Sequence, residues 1–173
     1  MIRPLSEKKA LERLQKLTDD FKQQIAVDYE HKAKDCLTCE TKGACCLDAH
    51  FVNVHISQLE AAAIKKVLGD LPATTRRAVN ERIENTIERY DLTAEGDTFA
   101  RTYACPLFEK GIGCLVHESG KPAPCIAHAC YENKTDLPPD ELLIKQERLI
   151  DDLNTRTYGG IQPILPLPLA IRE

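Results

Sequence analysis

The chain has 173 residues, 43% hydrophobic and 29% charged, with 8 Cys, and its 23 Lys plus Arg stand against 27 Asp plus Glu. That length is enough for a core of its own, and that composition excludes a disordered or fibrous protein. A net charge of −4 supplies no general positive field for a polyanion, so no nucleic-acid partner is expected.

Charges interrupt every apolar stretch between Met1 and Leu17, so no secretory signal is expected there. From Ser6 to Lys34, Leu11, Leu14, Leu17, Phe21 and Ile25 recur every three or four residues, which predicts a leading helix over 6–34. The stretch from Cys36 to Cys46 has no periodicity, and Gly43 within it permits backbone angles that other residues avoid, so it reads as a loop folded around a ligand. Phe51 to His55 suits a short strand. Ser57 and Glu60 form a capping box that starts a helix from Gln58 to about Val67, stopped by Gly69. Pro72 opens another helix, reaching about Asp91, with Val79, Ile83, Ile87 and Tyr90 as its apolar stripe.

Ala94 to Tyr131 returns to Gly, Pro and Cys and is expected to be loops and turns. Its Gly111-Ile112-Gly113 is the only G-x-G, too little for a P-loop or a dinucleotide-binding turn. A closing helix falls within 138–156, over Glu141–Thr155, with Leu142, Leu149, Ile150 and Leu153 facing inward, and Gly159-Gly160 ends it. The tail 161–173 carries Pro163, Pro166 and Pro168 and is expected to run extended, docked along the domain or awaiting a protein partner. No run approaches the ~20 apolar residues of a membrane span, so no membrane partner is expected. The expected fold is mainly α: a single domain over 1–173, with about four helices around a loop-rich cysteine centre at 36–131 and at most short β segments.

The cysteines carry the chemistry. Cys36, Cys39, Cys45 and Cys46 are spaced C-x2-C-x5-C-C, and after 58 residues Cys105, Cys114, Cys125 and Cys130 are spaced C-x8-C-x10-C-x4-C. A C-x2-C knuckle lets two thiolates approach one ion from a tight turn. Adjacent side chains diverge, so Cys45 and Cys46 are expected to serve two ions, or one to ligate and the other to support it. All eight are read as metal ligands, fitting two four-sulfur sites, one binuclear site, or a cluster with spare ligands. With no secretory signal expected, the chain is expected in the reducing cytoplasm, where clustered cysteines more often bind metal or do redox work than form disulfides. A buried-thiol core fits poorly with cysteines in loops.

These motifs resemble the YkgJ-like cysteine-cluster proteins, described as a zinc- or iron-chelating domain. The matching pieces are Cys36-Leu37-Thr38-Cys39, Cys45-Cys46, Cys105-Pro106-Leu107-Phe108, Gly113-Cys114, and Pro122-Ala123-Pro124-Cys125 followed by Cys130. The chain departs from that pattern at His117, Lys121-Pro122 and Ile126, where the family commonly has an aromatic residue, an Arg-Pro pair and an Arg. The resemblance implies metal binding rather than a reaction; a similar cluster occurs in proteins described as flagellin lysine methylases. Zinc is preferred over iron or an iron-sulfur cluster because redox-inert thiolate sites commonly hold a fold together, whereas Cys105-Pro106 only echoes the Cys-Pro of some iron-sulfur runs.

His128, between Cys125 and Cys130, and His117, after Cys114, are the histidines best placed to support or replace a thiolate. His50 and His55 mimic a two-Cys, two-His finger only in spacing, since they flank a strand-like run instead of sharing a helix face. The sequence therefore supports a metal-binding protein used for structure, storage or delivery. It leaves open a redox or methyl-transfer enzyme built on a metal-thiolate centre, and an adaptor in which the metal rivets the fold.

Overall fold

The structure, a computed structural model, describes residues 3–33, 43, 46, 47 and 53–173. In chain order the elements are α1 (Glu7–Asp28), β1 (His55–Ile56), α2 (Gln58–Gly69), α3 (Ala73–Arg89), β2 (Phe108–Glu109), β3 (Gly113–Cys114), α4 (Ala123–Ala127), α5 (Asp140–Tyr158), β4 (Leu165–Pro166) and α6 (Leu167–Ile171). The fold is mainly α, and among the described residues the strands are only two residues long and paired antiparallel. Among the described residues there are six helices rather than about four, because five-residue α4 and α6 are too short to leave a periodic signal. No helix among the described residues is long and apolar enough to cross a membrane. The chain divides into two compact units, each assembled from two separate segments.

Unit 1 comprises Met1–Lys42 and Lys121–Gln162. Helices α1 and α5 lie antiparallel within it. Gln146 donates from Nε2 to the Leu17 carbonyl at 3.1 Å, and at the other end the Tyr158 hydroxyl donates to Glu7 at 2.8 Å. Burial first, and the Glu7 carboxylate second, raise the Tyr158 pKa well above its ordinary value. The buried stripe of α1 is Ala10, Leu14, Thr18, Phe21 and Ile25, leaving Leu11 and Leu17 half-buried on its edges. Thr18 belongs to that stripe because its hydroxyl bonds back to the Leu14 carbonyl at 3.0 Å.

In α5 the buried residues are Gln146, Ile150, Leu153 and Asn154. Ile150 and Leu153 face inward as expected, whereas Leu142 is half-buried and Leu149 is 42% exposed, their places on the buried face being taken by Gln146 and Asn154. The leading helix stops at Asp28 and not near Lys34, because burial on its face ends at Ile25. A 3-10 turn at Glu30–Lys32 then delivers Ala33 in extended conformation to an antiparallel bridge with Tyr131. Gly159 caps α5 in the left-handed region at φ +75°, as glycine at that position commonly does.

Unit 2 comprises Gly43–Gly120 and Pro163–Glu173. The capping box of α2 is complete: the Glu60 amide donates to Ser57 Oγ at 3.3 Å, and Glu60 Oε2 accepts from the Ser57 amide at 3.0 Å. Val79, Ile83 and Ile87 of α3 are buried, and α6 packs against both α2 and α3. Strand β1 starts at His55, and its partner is the tail: His55 pairs with Pro166 and Ile56 with Leu165. Phe51 and Val52 of the expected strand lie outside the described residues.

The tail is extended at Leu165–Pro166 and then turns helical, which Pro168 permits because it lies in the first turn of α6, where no intrahelical donor is needed. Leu167 and Ile171 are buried, and Arg172 grips Glu84 through two hydrogen bonds of 2.9 and 2.6 Å.

Candidate metal centre

The described cysteines divide between the units. Cys125 and Cys130 are in unit 1, and Cys46, Cys105 and Cys114 in unit 2. All five carry thiols and are half-buried. Cys36, Cys39, Cys45 and His50 lie outside the described residues. Among the described residues no three Cys, His, Asp or Glu side chains form a group that could hold an ion.

In unit 2 the two cysteine stretches meet through the backbone: the Cys105 amide donates to the Cys46 carbonyl at 2.8 Å. Cys105 opens a tight turn, its carbonyl accepting from the Phe108 amide at 3.2 Å. Phe108 pairs with Cys114 across the hairpin of β2 and β3, and Cys114 opens a second turn, accepting from the His117 amide at 3.1 Å. Both cysteines therefore stand at the heads of turns on one hairpin, with Cys46 tied to the first. Soft sulfur donors on tight turns are the chemistry that zinc and iron-sulfur sites use. The donor set fits a thiophilic ion in kind.

Arg82, which the sequence did not single out, and Gly43, which it did, hold this hairpin. Arg82 of α3 donates from Nε to the Pro106 carbonyl at 2.9 Å and reaches Glu109 at 3.4 Å, fastening the Cys105 turn. Gly43, at φ +78°, lies against the Phe108 ring, and its carbonyl accepts from the Cys46 amide at 2.8 Å. Arg82 is a charged residue within α3, and no periodic signal could mark it.

In unit 1, Cys125 sits inside α4, which Pro122 leads into with its carbonyl accepting from the Cys125 amide at 3.0 Å. Cys130 precedes Tyr131, which bridges to Ala33. His128 and His117 are both exposed. The protein packed around His128, and second the charge of Lys121, lower its pKa.

His55 has a different role. It is 8% exposed and stacks on Phe99 with ring centroids 3.7 Å apart. Its Nδ1 faces the Asn53 carbonyl at 3.3 Å, which can only accept, so Nδ1 carries the proton and Nε2 accepts from the Thr98 hydroxyl at 2.8 Å. Asn53 also donates to the Phe99 carbonyl.

Burial lowers the His55 pKa and the Asn53 bond opposes that shift in part. The unfolded chain therefore takes up the proton first as pH falls below ~6.5, and the contribution of the neutral ring is lost from there down to the folded pKa. Melting curves between about pH 7.5 and pH 5 are expected to show this loss, with a shallower slope in His55→Gln; an unchanged slope would assign the pH dependence elsewhere.

No family model, curated protein or solved structure matches this chain.

Proposed function

We propose that the protein is a cytoplasmic metal-binding protein that holds zinc, in preference to iron, through its cysteine thiolates, as the resemblance of its motifs to the YkgJ-like cysteine-cluster proteins implies. The observation that carries this reading is the hydrogen bond from the Cys105 amide to the Cys46 carbonyl, which joins two cysteine stretches far apart in sequence on one hairpin.

Eight thiolates at about four per ion, with described thiols in both units, make two ions per chain the expected content. Cys46, Cys105 and Cys114 would serve unit 2, and Cys125 and Cys130 unit 1. Zinc in such sites supplies folding energy, roughly 10–16 kcal/mol of apparent binding energy in small zinc-finger peptides, comparable to a domain's whole stability. The tail is less available to a partner than an adaptor would require, since Leu167 and Ile171 are buried in unit 2.

Elemental analysis after anaerobic purification tests the reading. About two zinc ions per chain are expected, with Cys105→Ser and Cys125→Ser each losing about one. A chain without stoichiometric zinc or iron would sink the proposal. Brown colour with iron and acid-labile sulfide would move it to an iron-sulfur protein.

A further inference from the structure

Two backbone bonds between residues three apart lie side by side in unit 2: the Cys46 amide donates to the Gly43 carbonyl at 2.8 Å, and the Phe108 amide to the Cys105 carbonyl at 3.2 Å. The two segments touch at both ends. Gly43 lies against the Phe108 ring, and the Cys105 amide donates to the Cys46 carbonyl at 2.8 Å, which sets one cysteine against the other. Arg82 holds the second segment in that place through the Pro106 carbonyl.

Covalent geometry turns this contact into a distance. Residues joined by a backbone bond of that length have Cα atoms roughly 5–6.5 Å apart, inside the ~4.4–6.8 Å that a disulfide spans. Both residues carry thiols and are half-buried, so a small solute can reach them. Cys114, the third described thiol of the unit, stands opposite Phe108 instead.

We infer that Cys46 and Cys105 are a redox-active dithiol, which a low-molecular-weight disulfide such as oxidised glutathione closes into an intramolecular disulfide. One protein thiolate attacks a sulfur of the oxidant, breaking its S–S bond and releasing one small thiol. The second attacks the protein sulfur of the mixed disulfide and releases the other. The protein loses two electrons and two protons, which leave on the two small thiols, and an excess of reduced glutathione reverses the exchange. The link needs no ion; where one is held as proposed above, closure removes two of its sulfurs.

The test equilibrates the full chain, purified under reducing conditions, with glutathione buffers, then quenches it with acid, alkylates it and maps the linked peptides by mass spectrometry. Metal content is measured on the same sample. A Cys46–Cys105 link is expected to form first, leaving two thiols fewer than the 8 Cys of the chain. Cys46→Ser and Cys105→Ser should each lose it, and Cys114→Ser should keep it. The link should survive at a reduced-to-oxidised glutathione ratio at least about tenfold higher in the folded chain than in urea, because the fold brings the two residues together.

A first link between any other pair of cysteines overturns the inference, as does a Cys46–Cys105 link no more stable in the folded chain than in urea. A chain that carries its metal yet forms no such link overturns the inference and leaves the metal-binding reading standing. A chain that forms the link but holds neither zinc nor iron overturns that reading and supports the dithiol.

Discussion

Replacing Tyr103 by alanine is expected to destabilise unit 2 by about 3–5 kcal/mol, a large share of the ~5–15 kcal/mol that holds a typical domain. Tyr103 is fully buried, and its hydroxyl donates to the Val54 carbonyl at 2.6 Å while accepting from the Leu167 amide at 3.2 Å. It thus joins the chain entering β1 to the first residue of α6. Alanine would empty the ring's volume and remove both of the hydroxyl's bonds.

Tyr103→Phe should cost far less, about 0.5–1.5 kcal/mol, because the Val54 carbonyl keeps the Leu167 amide at 2.9 Å and only the hydroxyl's own bonds go. Urea denaturation of the two variants separates ring volume from hydrogen bond. Equal losses would mean that the hydroxyl, and not the packing, secures the tail.

Much of the helical architecture was legible because its signals are local. The Ser57 and Glu60 pair marks the start of α2, Pro72 and the stripe Val79, Ile83 and Ile87 define α3, and Gly159 closes α5. The stripes of α1 and α5 were legible in part: Leu14, Phe21, Ile25, Ile150 and Leu153 are buried as expected, but so are Thr18, Gln146 and Asn154, and a stripe defined by apolarity passes over polar residues in such positions. The strand pairing was not legible: β1 finds its partner in β4 near the chain end, and nothing near His55 announces it.

The candidate site divides the same way. Spacing named the cysteines, but the tie of Cys105 to Cys46 depends on a long-range backbone bond, and Arg82 acts through tertiary placement alone. Cys36, Cys39 and Cys45 lie outside the described residues, so the first stretch is represented by Gly43 and Cys46.

Gly43→Ala is the second large expected effect, and it reaches the site directly. A Cβ at Gly43 would fall onto Cε2 and Cζ of Phe108, so the ring would have to leave its place, at a cost of about 1–3 kcal/mol in overpacking or lost contact. The backbone at φ +78° adds about 1–2 kcal/mol for any residue with a Cβ. Gly111→Ala isolates the second effect: Gly111 lies in the same hairpin at φ +87° with nothing within 4 Å of its added carbon, so only the backbone cost of about 1–2 kcal/mol is expected.

Phe108→Ala isolates the first. In its background Gly43→Ala should cost no more than Gly111→Ala does, giving a coupling of about 1–3 kcal/mol in the double-mutant cycle. Because the ring of Phe108 adjoins the Cys105 turn and its backbone pairs with Cys114, displacing it should also lower metal content in Gly43→Ala and not in Gly111→Ala. If both alanines lost stability and metal alike, backbone strain alone would account for them, and the close approach of Gly43 to Phe108 would have no part in holding the cysteine stretches together.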